Sequence, residues 1–338
     1  MTDGDAGGFV LGADSGGSGL RVALAPAGGP SAALTAASDR PVRTGSAGID
    51  AGHLLKQLLP MARELLRRAG AARPVAVAIG AAGMATLGDE LRAVLPGELS
   101  RELGVRKVAL AADAVTAYAG ALGQRPGVVV AAGTGMIATG TDLALWRRAD
   151  GWGHLLGDCG SGTWIGRAGL EAALRAHDGR VGGSAALLER LEHVFGPASG
   201  LPGLLYPRTD RPAVLASFAP EVARCAADDP VAARILSDAA EHIAAAAAAV
   251  CPSPSAGDCQ VALTGGLFEM GDPLLAPLRD ALARQLPYAR PVSAAGDPLS
   301  GSLTVAAALA TDTLRLPQDP RLLVLTTTLT EQTGTGGH

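Results

Sequence analysis

The stretch VLGADSGGSGLRVAL, residues 10–24, places three glycines and two serines between two apolar runs, directly after Asp14. Apolar residues alternate with polar or small ones beyond the glycines, which is the period of a β-strand. The stretch therefore predicts a strand, a turn and a second strand. A dinucleotide-binding glycine loop is followed by a helix instead. Two interpretations of this hairpin remain open: a phosphate-binding turn and an ordinary tight turn.

Composition narrows the classes of function. A chain of 338 residues favours two domains. A net charge of −4 gives no electrostatic reason to bind nucleic acid or an anionic membrane, and 3% aromatic residues weaken any base-stacking model. The opening MTDGDAGG lacks the pattern of a signal peptide, and four cysteines without CxxC spacing do not suggest a disulfide scaffold. We expect a cytoplasmic enzyme with reduced thiols, no membrane or nucleic-acid partner and a small-molecule substrate.

The scarcity of lysine excludes two nucleotide-binding patterns. The chain has only Lys56 and Lys107, and neither follows a glycine, so a GxxxxGK[ST] phosphate loop is absent. Neither lysine lies in a VAIK-like strand beside a GxGxxG loop, which removes the protein-kinase pattern. A nucleotide bound here would be held by backbone amides and a metal ion.

A second hairpin of the same kind follows. The stretch GVVVAAGTGMIATG, residues 127–140, is again an apolar run, a glycine-rich turn and a second apolar run. Other segments alternate between strand and helix patterns, so the fold class is α/β. Two such hairpins, each near the head of one half of the chain, suggest a duplicated architecture that binds a nucleotide.

Both turns carry residues suited to phosphate. Glycines allow main-chain N–H groups to approach phosphate oxygens, which makes Gly16, Gly17 and Ser18 candidates in the first turn. Gly133, Thr134 and Gly135 are the corresponding candidates in the second turn. Asp14 could hold Mg²⁺ through water. For each turn, the alternative is an ordinary hairpin that uses glycine and aspartate as turn formers.

Asp113 stands where the predicted strand 105–113 gives way to a helix. One interpretation is a helix N-cap, a common use of aspartate at such a junction. The other is a general base at the carboxyl end of a strand, where α/β sheets place their ligands. The two roles are compatible.

Two further glycine-rich segments have ligand-binding character. GWGHLLGDCGSGTWIG, residues 151–166, is predicted as a loop that leads into a helix, and its Asp158 could accept two sugar hydroxyls. For His154 and Cys159 in this loop, a structural role is favoured. Gly265 and Gly266 follow a strand and could let an adenine ring lie on the backbone; the alternative is a strand-to-helix turn. The remaining histidines lack ligand spacing, so no metal cluster is predicted.

In this order the motifs DSGGS, AAGTGM, GWGHLLGDCGSGTWIG and LTGGLF resemble the sugar kinase/actin/heat-shock ATPase superfamily, over residues 9 to about 312. The chain is most similar to the N-acetylglucosamine kinases and the benzoyl-CoA-reductase-type ATPases. The resemblance implies two ribonuclease-H-like lobes with a nucleotide and sugar cleft between them. It implies a small lobe of residues 1–115 plus a returning helix at 301–316, a larger lobe of residues 116–300, and a tail at 317–338.

The same resemblance implies the function and the roles of the residues. The protein would use ATP and Mg²⁺ to phosphorylate a hydroxyl of an amino sugar, N-acetylglucosamine or a glucosamine-like hexose. Related kinases are often dimers, so the resemblance also suggests a homodimer. Asp113 matches the catalytic base, Asp14 the metal-side carboxylate and Thr134 the phosphate-binding hydroxyl. The sugar-contact positions fall on Trp152, Gly153, Asp158 and Gly162, with Asp113 also touching the sugar, and Gly265 and Gly266 match the adenosine motif.

Several residues depart from the family pattern. Cys159 replaces an acidic residue, Met136 replaces a serine, and Ala81-Ala82-Gly83 stands where a serine–glycine sugar contact is expected. The chain also contains no asparagine, a residue that often contacts the acetamido group. Two alternatives to the kinase therefore remain: a sugar-independent ATPase or activator, and a degenerate sugar sensor. The cysteines are not placed for the iron–sulfur cluster of such an activator.

Overall fold

The computed structural model describes residues 8–17, 19–29, 33–45, 48–253 and 259–327. In chain order the strands are β1 Phe9–Gly16, β2 Gly19–Pro26, β3 Leu34–Ser38, β4 Thr44–Gly45, β5 Gly48–Ile49, β6 Pro74–Ala81, β7 Lys107–Ala112, β8 Gly127–Ala132, β9 Met136–Thr141, β10 Trp146–Asp150, β11 Gln260–Thr264, β12 Arg290–Ser293 and β13 Leu323–Thr327. The α-helices are α1 Ala51–Ala69, α2 Met84–Leu87, α3 Asp89–Leu103, α4 Asp113–Leu122, α5 Gly162–His177, α6 Ala185–Phe195, α7 Leu201–Leu205, α8 Arg211–Ala216, α9 Ala219–Cys225, α10 Pro230–Val250, α11 Asp272–Gln285 and α12 Pro298–Ala310.

The chain divides into two compact units. The first comprises Met1–Arg125, Leu143–Leu145 and Ala294–His338, and the second comprises Pro126–Asp142 and Trp146–Ser293. Each unit has its own sheet and its own helices, so the predicted α/β class is confirmed. Helix α4, which the sequence assigned in large part to the second lobe, belongs to the first unit because it packs on α12.

The first unit is built on a six-stranded sheet in the order β13-β7-β6-β1-β2-β3. Strands β1 and β2 form the predicted antiparallel hairpin, with Gly16 opposite Gly19. Strands β1, β6 and β7 run parallel, and their apolar runs are buried, as a sheet with both faces covered requires. Ser18, a predicted phosphate contact, lies outside the described residues.

The predicted tail from residue 317 contains a strand. Strand β13 pairs antiparallel with β7, and Leu323 is fully buried. The apolar run LLVL supplies the partner that the edge of β7 requires, because an uncovered edge strand leaves its N–H and C=O groups unpaired. Residues 328–338, the rest of that predicted tail, lie outside the described part of the chain.

The second unit has a five-stranded sheet in the order β10-β9-β8-β11-β12. Strands β8 and β9 form the second predicted hairpin. The alanine-rich helix α10 approaches β9 so closely that a Cβ on Gly140 would lie 2.1 Å from the carbonyl oxygen of Val250. Small side chains on both elements make this approach possible. The apolar run at 242–250, which forms the C-terminal part of α10, therefore belongs to a core helix.

Two helices begin elsewhere than the sequence predicted. Helix α5 starts at Gly162 instead of after residue 166, because the Ser161 hydroxyl accepts the N–H of Trp164 and caps the helix. Helix α12 spans Pro298–Ala310 instead of 301–316, because the Asp297 carboxylate accepts the N–H of Ser300 and begins the helix earlier. Among the described residues, no helix is long and apolar enough to span a bilayer.

Helices α4 and α12 cross at glycines in the first unit. A Cβ on Gly301 would lie 1.8 Å from the carbonyl oxygen of Thr116, and a Cβ on Gly120 would lie 2.1 Å from that of Asp297. Both contacts are with backbone atoms, which cannot rotate away. The crossing therefore requires glycine at both positions, and it fixes the helix that begins with Asp113.

Lys107, one of the two lysines, has a structural role at the end of α12. Its ammonium group donates to the carbonyl oxygens of Leu309 and Ala310 at 3.1 and 3.3 Å and pairs with Asp312 at 2.7 Å. A cation at a helix C-terminus is stabilising. We expect Lys107→Met to lower the free energy of unfolding by about 1–2 kcal/mol, measured by urea denaturation. Lys56→Met, on the exposed face of α1, should change it by less than about 0.5 kcal/mol.

Candidate functional site

The parallel strands of the first unit bring predicted residues to one edge of the sheet. Ser15 of β1 is in register with Ala81 of β6, and Ala81 with Ala112 of β7. The end of β1, which carries Asp14 and leads into the first turn, therefore lies level with the end of β7, which Asp113 follows. Neighbouring strands lie about 4.8 Å apart, so the backbone of Asp113 is two strand spacings, roughly 10 Å, from the first hairpin. The carboxyl ends of parallel strands are where such sheets bind ligands.

Asp113 is the first residue of α4 and is exposed. Its Oδ1 atom accepts the N–H of Ala114 at 2.9 Å, which holds the carboxylate at the start of the helix. The carbonyl of Asp113 in turn accepts the hydroxyl of Thr116 at 3.0 Å. The side chain is thus oriented by its own helix and still reaches solvent.

An arginine that sequence reasoning missed bridges two carboxylates beside the first turn. Arg21 donates through Nε and Nη2 to Oδ2 of Asp14 at 3.2 and 2.6 Å, and through Nη1 to Oδ2 of Asp297 at 2.6 Å. Burial works to lower the pKa of Arg21, but the hydrogen bonds and charges of the two carboxylates outweigh it, so the pKa is raised. The hairpin register, which places Asp14 opposite Arg21, was a signal that could have identified the pair.

The donor set at this bridge is compatible with Mg²⁺. Two carboxylates face one guanidinium, so the group of Asp14, Asp297 and Arg21 carries one net negative charge and offers hard oxygen atoms. Across the described ranges, no three His, Cys, Asp or Glu side chains are grouped as a metal cage. Mg²⁺ in phosphoryl-transfer sites needs no such cage, since it binds one or two carboxylates and the nucleotide phosphates. The metal role of Asp14 remains a prediction.

Two glycines of the first turn are next to open space. A Cβ on Gly16 or Gly17 would meet no atom within 4 Å. Gly19, in contrast, has φ +132°, and its Cβ would lie 2.0 Å from the carbonyl oxygen of Ser38. Packing therefore explains Gly19, whereas the two glycines predicted to face phosphate leave room for a ligand at the turn.

The second hairpin rests on the N-terminus of α5. The N–H of Gly162 donates to the carbonyl of Gly133 at 2.8 Å, and the hydroxyl of Thr163 donates to the carbonyl of Thr134 at 2.7 Å. A Cβ on Gly162 would lie 2.8 Å from that Gly133 oxygen. Gly162, a predicted sugar contact, thus has a packing role next to the predicted phosphate turn, and Thr163 is a contact that sequence reasoning missed.

A cavity of about 390 Å³ opens beside this hairpin in the second unit. Its lining includes Gly133, Thr134, Gly162, Ser217, Gly266 and Leu267. Gly265, at the end of β11, has φ +104°, and its Cβ would lie 2.2 Å from the carbonyl oxygen of Ala132. The predicted adenosine turn and the predicted phosphate turn therefore lie side by side, and the cavity presents backbone and apolar surface to a ligand.

The residues of the predicted sugar loop differ in how far they are exposed to solvent. Trp152 is 66% exposed, and the guanidinium carbon of Arg148 lies 4.8 Å from the ring centroid. Asp158 is half-buried and accepts the N–H of Gly153 at 3.2 Å and the backbone N–H of Met136. Burial and the charge of Asp150 raise the pKa of the Asp158 carboxyl. Part of its hydrogen-bonding capacity is thus used within the protein, between the loop and the second hairpin.

Two other residues of the loop, His154 and Cys159, are half-buried. The structural role favoured for His154 stays a prediction. The thiol of Cys159 has a raised pKa because of burial and the nearby charge of Asp150. A raised pKa disfavours the reactive thiolate. The carboxylate of Asp150, which sequence reasoning missed, accepts the N–H groups of Asp158 and Cys159 at 2.6 and 2.9 Å.

Comparison with known proteins identifies the family. A curated N-acetylmuramic acid/N-acetylglucosamine kinase from Clostridium acetobutylicum is 37% identical over 116 residues, 34% of this chain and 36% of that protein. The match thus spans about a third of the relative's length.

Solved structures match over nearly the whole chain. A candidate N-acetylglucosamine kinase from Chromobacterium violaceum is 27% identical, with a TM-score of 0.65 over 90% of this chain and 99% of that one. A ROK family glucokinase from Streptomyces griseus, in complex with glucose and AMPPNP, shares the fold at 20% identity, with a TM-score of 0.53 over 90% and 100% of the two chains. Residues 11–299 match the BadF/BadG/BcrA/BcrD ATPase family, and the chain belongs to that family.

Proposed function

We propose that this protein transfers the terminal phosphoryl group of ATP to a hydroxyl of an amino sugar, N-acetylglucosamine or a glucosamine-like hexose. The observation that carries the proposal is the edge of the first sheet, where Asp113 lies two strand spacings from the end of β1, the strand that carries Asp14 and leads into the first glycine turn. The relatives named as amino-sugar kinases support the substrate class.

Asp113 receives the proton in the proposed reaction. The acceptor hydroxyl forms a bond to the terminal phosphorus of ATP, the bond from that phosphorus to the bridging oxygen breaks, and ADP leaves with the electron pair. The hydroxyl proton passes to the carboxylate of Asp113, which is exposed and oriented by α4. General-base assistance of this kind contributes about 10²–10⁴-fold to the rate.

Backbone groups of the two glycine turns hold the phosphates. Gly16, Gly17 and Ser18 of the first turn and Thr134 and Gly135 of the second donate N–H groups, with the hydroxyl of Thr134 as a further donor. Gly133 shapes the second turn, because its own N–H donates to the carbonyl of Gly135 at 2.9 Å. Asp14 would hold Mg²⁺, and the bound ion would supply positive charge against the phosphate oxygens. Gly265 and Gly266 would bind the adenosine next to the 390 Å³ cavity, which Gly266 lines and to which Leu267 contributes an apolar surface.

Trp152, Gly153 and Asp158 contact the sugar in this proposal. The exposed indole of Trp152 gives an apolar face for a sugar ring, and the carboxylate of Asp158 accepts hydroxyls with the capacity that remains. Gly162 supports the sugar site indirectly, because its N–H donates to the carbonyl of Gly133 and so joins the end of the sugar loop to the second hairpin. A homodimer and a cytoplasmic location are part of the same proposal and rest on the resemblance to related kinases.

One assay tests the proposal. ADP release is measured with Mg²⁺ and ATP, alone and with amino sugars, acetamido sugars and plain hexoses. Release stimulated by an amino or acetamido sugar is the expected result. Equal release without sugar would indicate an ATPase or activator, and no release with retained sugar binding would indicate a sensor, so either result overturns the kinase. Size-exclusion chromatography of the same preparation tests the dimer.

A further inference from the structure

The loop that follows β10 is held in shape by one carboxylate. Asp150 accepts the N–H of Asp158 on Oδ1 at 2.6 Å and the N–H of Cys159 on Oδ2 at 2.9 Å. Hydrogen bonds to an ionised carboxylate are among the strong ones in proteins. Both oxygens are used, so the two ends of the loop are joined by a single side chain.

The backbone at both ends of this loop is strained. Asp150 has φ +61° and Asp158 has φ +54°, in the left-handed region that is unfavourable for residues other than glycine. Gly157 lies between them, and a Cβ on it would lie 2.4 Å from Oδ1 of Asp150. Such backbone persists only where the surroundings fix it, and the Asp150 hydrogen bonds are what fixes it here.

From this clamp a chain of contacts leads to the second hairpin. The Asp158 side chain accepts N–H groups from Gly153, within the loop, and from Met136, at the start of β9. A Cβ on Gly135 would lie 2.8 Å from Oδ2 of Asp158. Asp150 therefore sets the position of Asp158, and Asp158 contacts both the predicted sugar loop and the predicted phosphate turn.

We propose that Asp150 is a positioning residue for the sugar: its carboxylate fixes the backbone of residues 158–159 so that Gly153 and Asp158 are held ready for the substrate. The inference rests on the proposed function, because the loop binds sugar only if that function is correct. In this proposal Asp150 does not itself contact the sugar, and it acts through Asp158.

The clamp also acts through charge. Burial is the largest influence that raises the pKa of Asp158, and the negative charge of Asp150 raises it further. The N–H groups of Gly153 and Met136 and the charge of His154 lower it. Removal of the Asp150 charge should therefore lower the pKa of Asp158, so that Asp158 remains ionised to a lower pH. Replacement of a carboxylate distant from Asp158 would not produce this effect.

The test is Asp150→Asn, because an amide keeps the size of the side chain but replaces one accepting oxygen with an NH₂ group. We expect KM for the sugar to rise about 10- to 100-fold, while kcat and KM for ATP change by less than about threefold. The acid limb of kcat/KM should move to lower pH. Asp229→Asn is the matched control, since Asp229 accepts N–H groups of Val231 and Ala232 at the start of α10. It should lower stability and leave the sugar KM unchanged.

Two further measurements keep this inference separate from the proposed function. NMR titration gives the pKa of Asp158, and hydrogen exchange gives the protection of the amides of Asp158 and Cys159 in both proteins. If wild-type protein shows no sugar-dependent ADP release, the kinase proposal fails, and the sugar-positioning role fails with it even where the clamp is intact. If wild-type protein is active but Asp150→Asn leaves the sugar KM, the Asp158 pKa and amide protection unchanged, the positioning role alone is wrong.

Discussion

Asp113→Asn lowers kcat for the sugar-dependent reaction by about 10²–10⁴-fold and leaves the affinity for ATP and sugar within a few-fold of wild type. The reason is that an amide cannot accept the proton of the attacking hydroxyl. The carbonyl oxygen of the amide can still accept the N–H of Ala114, so the start of α4 is preserved. Steady-state kinetics with the sugar identified in the panel assay, together with calorimetric binding of sugar and ATP, measure both expectations.

Asp89→Asn is the matched control for this experiment. Asp89 is also the first residue of a helix in the first unit, is exposed, and pairs with Arg92 on the same helix. Its replacement removes an exposed ion pair, which costs roughly 0–1 kcal/mol of stability. The protein should therefore stay folded, and kcat should stay within about twofold of the wild-type value. Near-wild-type turnover of Asp113→Asn with a confirmed substrate would show that another group is the base.

Gly301→Ala is expected to destabilise the protein by about 3 kcal/mol, at the upper end of the cost of overpacking. The new Cβ would lie 1.8 Å from the carbonyl oxygen of Thr116 and 2.5 Å from the backbone nitrogen of Gly120. These are backbone atoms, so α4 and α12 must separate to admit the methyl group. Urea denaturation measures the loss, and kcat should fall as well, because α4 carries Asp113.

Gly97→Ala is the control of opposite sign. Gly97 lies exposed inside α3, and a Cβ there would meet no atom within 4 Å. Alanine is favoured over glycine in a helix interior by about 0.5–1 kcal/mol, so this variant should be more stable than wild type. Equal stability of Gly301→Ala and wild-type protein would contradict the close helix crossing.

The two hairpins were predictable from the sequence because their signal is local. Period-two alternation on both sides of a glycine turn needs no tertiary information, and β1–β2 and β8–β9 form as predicted. The junction at Asp113 was predictable for the same reason, since a buried strand and a helix pattern meet there. The residues of the first turn and Asp113 come to one sheet edge because parallel strands end together.

Other parts of the site depend on contacts between distant segments. Asp297 reaches Arg21 across more than 270 residues of sequence, and no spacing rule connects them. Asp150 binds backbone N–H groups, and these carry no sequence signal. Strand β13 was interpreted as part of a tail because it has only five residues and a threonine-rich stretch follows its apolar run, whereas its stability comes from pairing with the edge of β7.

The order of the strands has a consequence for synthesis on the ribosome. The first unit begins with β1 but needs α12 and β13, which are translated after the whole of the second unit. Until residues 298–327 emerge, one edge of β7 and the glycine face of α4 have no partner. The nascent first unit therefore lacks α12 and β13 and remains incompletely folded, while the second unit can already fold. It is during that interval that this chain most needs protection from aggregation.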